Sequence, residues 1–135
     1  GDIPLMVKLA YIPSDDALEL MVRSTVGHGT VQGFSTINTI SAKLVDANGN
    51  QALPGAGRDH SGVCGNAIRG AGLDMVARLA AIREKLGLDF AINGVGGVVS
   101  PADYQAYRDA GADSVMSATG AMWDAELAHK IKASR

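Results

Sequence analysis

Cysteine is nearly absent: Cys64 is the only one in 135 residues. A lone cysteine excludes an internal disulfide and a cysteine-built zinc cluster. Excess charge of either sign is also missing. Against 14 Asp and Glu stand 12 Lys and Arg, a formal net charge of -2. No basic stripe is present to meet a nucleic-acid backbone, so no nucleic-acid partner is expected. No apolar run approaches the roughly 18 residues that a membrane span needs, so no membrane partner is expected either. His28, His60 and His129 are too scattered to point to a metal site. No secretory signal precedes Gly1, and a cytoplasmic protein is the expectation. There is no linker and no low-complexity tract. What remains is 47% hydrophobic and 19% charged, the balance of one folded globular domain over residues 1–135, long enough to bury a core.

Strand and helix alternate four times. The run PLMVKLA, Pro4 to Ala10, is almost continuously apolar and reads as a strand buried on both faces. Ser14 can cap the helix that follows, with Asp15 and Asp16 at its positive end and Leu18, Met21 and Val22 on its apolar side. A second strand is predicted over Gly33–Thr39, then a long segment over roughly Ile40–Ser61. From near Gly65 a second helix carries Ile68, Met75, Leu79, Ile82 and Leu86 at helical spacing, and Gly87 stops it. Leu88–Asn93 is the third strand. Ser100, Pro101 and Asp103 give a third helix its cap, first-position proline and first-turn acid, and Gly111 ends it. Ser114–Ser117 is the fourth strand. A last helix from about Asp124 turns Leu127 and Ile131 inward. The fold class is α/β with parallel strands.

The unusual residues gather at the carboxyl ends of these strands, where α/β folds bind ligands. They are Lys8, Asn38-Thr39, Gly94 to Gly97, and Ala118-Thr119-Gly120. Two glycine-rich turns, one helix apart, leave backbone N–H groups uncovered and admit an anion. The last two strands of a (β/α)8 barrel hold a phosphate in this way. Each residue also has a plainer reading. Lys8 could guard a sheet edge. The glycines could form a tight turn, and Asn38 could satisfy its own turn. Cys64 reads as a small buried residue rather than a nucleophile. Asp46 to Asn50 reads as a turn: its glycine falls two positions too early for a calcium loop, and no glutamate closes it. Asp59 and His60 lie on the long segment over the site.

Five pieces in order resemble the carboxyl-terminal half of a dihydroorotate dehydrogenase. They also resemble the related flavin-carrying, pyrimidine-binding domain of dihydropyrimidine dehydrogenase. The pieces are VKLA (Val7 to Ala10), INTIS (Ile37 to Ser41), SGVCGNAIR (Ser61 to Arg69), NGVGGV (Asn93 to Val98) and AGADSVMSATG (Ala110 to Gly120). The resemblance implies an oxidoreductase of pyrimidine biosynthesis, a flavoprotein built as an eight-stranded TIM barrel around FMN. It places Lys8 near the flavin ring, and Asn38 and Thr39 against both pyrimidine and flavin. It places Gly65, Gly96, Gly97, Ala118 and Thr119 around the flavin phosphate. INTIS and SGVCGNAIR argue against a generic sugar-phosphate isomerase or lyase, which would share only the late phosphate motif.

The same resemblance accounts for four of the eight strands, a (β/α)4 half-barrel. The loop that carries the family's catalytic base, a cysteine or serine, falls in the other half, and Cys64 does not match its position. Two open edges and an open inner face call for a partner. That partner is a homodimer mate closing eight strands about a two-fold axis, or an amino-terminal half. An open flavodoxin-like sheet is the remaining arrangement. The alternative function is a non-catalytic, self-associating half-barrel that binds a phosphate-bearing ligand.

Overall fold

The computed structural model describes residues 3–134. Along the chain run β1 (Met6–Leu9), α1 (Asp15–Thr25), β2 (Gly33–Thr36), β3 (Ile40–Lys43), β4 (His60–Val63), α2 (Arg69–Leu86), β5 (Ala91–Val95), α3 (Pro101–Asp109), β6 (Ser114–Met116), α4 (Thr119–Trp123) and α5 (Leu127–Ala133). The main sheet has the order β1-β2-β5-β6, all parallel. The strand order never reverses, and right-handed crossovers therefore carry α1, α2 and α3 to the same face. Accordingly α1 packs on α2, α2 on α3, and α3 on α5. This is a (β/α)4 half of a barrel rather than a doubly wound sheet, whose order reverses part-way.

The helix ends follow from local chemistry. Ser14 accepts from Ala17 N at 3.2 Å to cap α1. Ser100 does the same for Asp103 N at 3.2 Å, with Pro101 behind it. Gly87 closes α2 in a left-handed conformation, its N–H shared between Arg83 O and Glu84 O. Between sheet and helices lies the core: Leu18 and Val22 from α1, Met75, Val76 and Leu79 from α2, and Phe34 and Ile92 from the strands. Phe34 meets Phe90 edge to face, centroids 5.4 Å apart. Each such side chain contributes about 1.5–3 kcal/mol by leaving water.

Several boundaries move from their sequence expectation. β1 is not buried on both faces. Leu9 is buried, but Met6 is 46% exposed and Lys8 is exposed, because only one face of the strand meets helices. β2 stops at Thr36, and the next two amides still tie the chain to its neighbours, Ile37 N donating to Val95 O at 3.2 Å and Asn38 N to Leu9 O at 2.8 Å. β5 begins at Ala91 rather than Leu88 and runs through Gly94 and Val95, which pair with β6. Gly65–Ile68 forms a 3-10 turn before α2. The long segment holds an antiparallel hairpin, β3 with β4, that periodicity did not reveal. At its tip, Asp46 accepts from the amides of Asn48 and Asn50 at 2.8 and 2.9 Å, the turn that its sequence promised. Past β6, the short helix α4 was not foreseen. α5 starts at Leu127, which is buried, while Ile131 is half-buried.

The face away from the helices is open. Met6, Lys8, Ser114 and Met116 on its outer strands are exposed. Its middle is polar: Asn93 Nδ2 donates to Ser35 Oγ at 3.1 Å, and Ser114 Oγ donates to Asn93 Oδ1 at 3.0 Å. Lys8 stands level with this row, in register with Ser35.

Candidate functional site

A cleft of about 200 Å³ opens at the carboxyl ends of the parallel strands. Lys8, Asn38, Thr39, Gly65, Gly96, Gly97, Ala118 and Thr119, the candidates read from sequence, all line it. They come from four different strand ends and from the turn leading into α2, and only the closing of the sheet brings them together. Lys8 is exposed at the end of β1, and among the described residues it has no ion-pair partner. The side chains of Asn38 and Thr39 are exposed where the chain leaves β2. Thr39 packs its hydroxyl end so closely on Gly62 of the hairpin that no side chain would fit there.

The glycine turn after β5 is shaped by its neighbours. Gly96 has φ +127° and Gly97 φ +68°, values that L side chains rarely adopt. A Cβ on Gly97 would come within 2.9 Å of Asn66 Cα and of Gly65 O, so the turn lies tight on the entrance to α2. Among the described residues, none accepts a hydrogen bond from the amides of Gly96, Gly97 or Val98. Three consecutive N–H groups without an acceptor are a donor set suited to an anion, and Lys8 lines the same cleft from β1, two strands away. On the far wall Ser117 Oγ donates to Val98 O at 2.7 Å and ties the β6 turn to the β5 turn.

The side chains that hold this turn in place lie on α3; Asp103 was read from sequence only as a first-turn acid, and Tyr107 was not singled out. Asp103 is buried and accepts from Ser100 Oγ at 2.7 Å, from Val99 N at 3.1 Å and from the Arg69 guanidinium. Burial opposes ionisation of Asp103. The Ser100 and Val99 hydrogen bonds and the Arg69 charge together outweigh it and hold the carboxyl below the usual carboxylate range. One helical turn on, Tyr107 is fully buried, and burial pushes its hydroxyl up to about 12. It stays a neutral donor and gives a hydrogen bond to Gly96 O at 2.8 Å, with Val95 O at 3.3 Å.

Cys64 is exposed and lines the cleft, not buried as its residue type led one to expect. The hairpin forces its backbone to the mouth of the site, at the cap of the turn into α2. His60 bonds Asp59 at 2.9 Å out on the exposed hairpin, and neither residue lines the cleft.

Comparison with known proteins fixes the family. The family model for dihydroorotate dehydrogenase matches residues 1–134. This chain belongs to the dihydroorotate dehydrogenase family. A dihydroorotate dehydrogenase of Dictyostelium discoideum is 36% identical over 129 residues, covering 96% of this chain and 35% of that protein. The dihydroorotate dehydrogenase (quinone) of Methylibium petroleiphilum is 34% identical over 121 residues, covering 90% of this chain and 33% of that one. In structure, the chain resembles dihydroorotate dehydrogenase from Eimeria tenella, solved in complex with ferulenol. The TM-score is 0.73 at 19% identity, over 96% of this chain and 32% of that one. That likeness shows the fold, and the chain spans about a third of the length of the relatives it matches. No helix among its described residues is long and apolar enough to cross a membrane.

Proposed function

We propose that this chain is the FMN-binding half of a dihydroorotate dehydrogenase-type flavin oxidoreductase of pyrimidine metabolism. It would supply the flavin phosphate site and part of the substrate site. The observation that carries the proposal is the cleft itself: Gly96, Gly97 and Val98, whose amides have no acceptor among the described residues, line one concavity together with Thr119 and Lys8. The residues fit the group. A phosphate is anionic and needs several fixed donors, and the Gly65–Gly97 approach leaves no room for a Cβ that would cover them.

In this reading Gly65, Gly96, Gly97, Ala118 and Thr119 hold the terminal phosphate. Asn38 and Thr39, whose side chains are exposed at the end of β2, contact the pyrimidine and the flavin. When bound, the flavin supplies a two-electron hydride acceptor. Lys8 holds a positive charge beside the site where negative charge builds during that transfer, and a preplaced charge needs no reorganisation. Removal of the substrate proton is assigned to the part of the longer relatives that this chain does not span.

The test is the visible spectrum of the purified protein, alone and after FMN is added. A yellow protein with a flavin band that survives gel filtration is the expected result. A colourless protein that ignores added FMN overturns the proposal.

A second reading is favoured by the open inner face, where Met6 is 46% and Met116 56% exposed. In it the half-barrel closes with a second copy and holds inorganic phosphate without catalysis. Phosphate binding without flavin binding, at twice the chain mass by light scattering, selects this reading. A stable monomer removes it, leaving the remainder of a longer chain to complete the strands.

A further inference from the structure

We infer that Tyr107 is a positioning residue for the anion-binding turn: its hydroxyl, reaching through from the helix side of the sheet, sets the direction in which the Gly97 N–H points. The inference rests on the FMN reading for the identity of the anion, but its geometry does not.

The argument begins with the peptide unit. A trans peptide is planar, so the C=O of one residue and the N–H of the next point in opposite directions. Gly96 C=O accepts from Tyr107 Oη at 2.8 Å, on the helix side of the sheet. Gly97 N–H belongs to the same peptide and must face the opposite way. Gly97 lines the cleft, and among the described residues nothing accepts from this N–H. The peptide before it is fixed likewise. Val95 C=O accepts from Ile37 N at 3.2 Å and lies 3.3 Å from Tyr107 Oη, which turns Gly96 N–H away from both. Glycines at φ +127° and +68° have no side chain to fix these planes themselves. The orientation has to be imposed from outside, and Tyr107 is the buried side chain that reaches both carbonyls.

The fold makes room for this one hydroxyl. A Cβ on Gly72 of α2 would land on the Tyr107 hydroxyl, and a Cβ on Gly94 of β5 would land on its ring. Both glycines lie in the interiors of their elements, where glycine costs stability relative to alanine. A phenylalanine would fill the same slot equally well in the apolar sense. What it lacks is the hydrogen bond. Because burial pushes the phenol up to about 12, it stays a protonated donor around neutral pH. Four residues earlier on the same face of α3, Asp103 pins Val99 N at 3.1 Å. The turn is thus held at both ends from one helix, with the free amides between.

Tyr107→Phe removes the hydroxyl and leaves the ring. The purified protein is titrated with FMN and with riboflavin, which differs by lacking the phosphate. The expected result is a roughly tenfold loss of FMN affinity with riboflavin affinity unchanged. The second measurement needs no ligand: the 15N relaxation order parameter of Gly97 N–H. It is expected to fall from the rigid range near about 0.85 towards about 0.6, while that of Ile92 stays put. Equal losses for FMN and riboflavin, or no loss for either, overturn the inference. If wild-type protein binds neither flavin, the FMN reading fails, and the order parameter alone decides the role of Tyr107. An unchanged Gly97 value then refutes it.

Discussion

Gly97→Ala tests both the turn and its purpose, and Gly49→Ala is its internal control. Both glycines sit in the left-handed region, at φ +68° and φ +83°. An L side chain there costs about 1–2 kcal/mol from its own backbone alone. Gly49 is at the hairpin tip with nothing within 4 Å of a new Cβ, so its substitution should cost only that. At Gly97 a Cβ would stand 2.8 Å from Arg69 Cβ and 2.9 Å from Asn66 Cα and Gly65 O. Two of these are backbone atoms and the third is fixed to α2, so none can swing aside. Forced contacts of this kind cost a further 1–3 kcal/mol or so. The urea midpoint of Gly97→Ala should therefore fall below that of Gly49→Ala by an amount worth about 1–3 kcal/mol, at equal slope. FMN affinity should drop at least tenfold in Gly97→Ala and stay at the wild-type value in Gly49→Ala. Equal midpoints for the two variants, with FMN bound undiminished by Gly97→Ala, would refute the reasoning that this turn is tight because an anion must approach it.

In a full-length protein that supplies the proton-removing part, Lys8→Met should slow reduction of bound flavin by the dihydropyrimidine substrate about 100-fold in rapid-mixing experiments, the scale lost when one preplaced electrostatic group is removed; an unchanged rate would refute the role given to Lys8. FMN should protect Cys64, which is exposed in the cleft, from alkylation; a labelling rate indifferent to FMN would place the ligand elsewhere. Thr36 Oγ1 is buried without a hydrogen-bond partner, so Thr36→Val should raise stability by about 1 kcal/mol in a denaturant titration. Tyr107 has its proton held up to about 12 by burial, against about 10 in an unfolded chain. The folded state keeps a proton that the unfolded state loses, so this contribution is whole below pH 10 or so and vanishes as pH rises through about 12. Alkaline melts should show a steeper decline for wild type than for Tyr107→Phe. Asp103 has the opposite sign. Its lowered pKa gives stability that is present above about pH 4 and lost as pH falls through its folded value. Asp103→Asn should flatten that acid limb.

The parts of the fold legible in sequence were those written in local chemistry. Ser14, Ser100 with Pro101, and Gly87 marked helix ends, and the stripe from Ile68 to Ile82 marked α2. The hairpin escaped because Ile40–Lys43 and His60–Val63 are partly exposed and draw their pairing mainly from each other, across a long loop. β5 slid towards its glycines because Gly94 is strand residue and tight packing site at once. Its backbone pairs with β2 and β6 while the Tyr107 ring fills the space beside it. Helix α4 escaped because Ala118-Thr119-Gly120 reads as a loop, and α4 leaves Met122 and Trp123 exposed rather than on an apolar face.

The sequence by itself determined the parallel β–α alternation, the face on which the unusual residues would lie, and the residues that now line one cleft. Strand ends in such a fold share a side, so a residue's place on its strand is enough to assign it. Only the tertiary structure decided which groups hold the site in shape. Tyr107 and Asp103 lie on α3, and although sequence marks Asp103 as a first-turn acid, nothing in it marks either as a group that holds the turn. They matter because β5 and α3 pack so that two carbonyls and one amide of a glycine turn meet them. A glycine carries no side chain with which to specify its own peptide planes. The orientation of those donors is therefore a property of the packing around them, and no reading of the turn's own residues contains it.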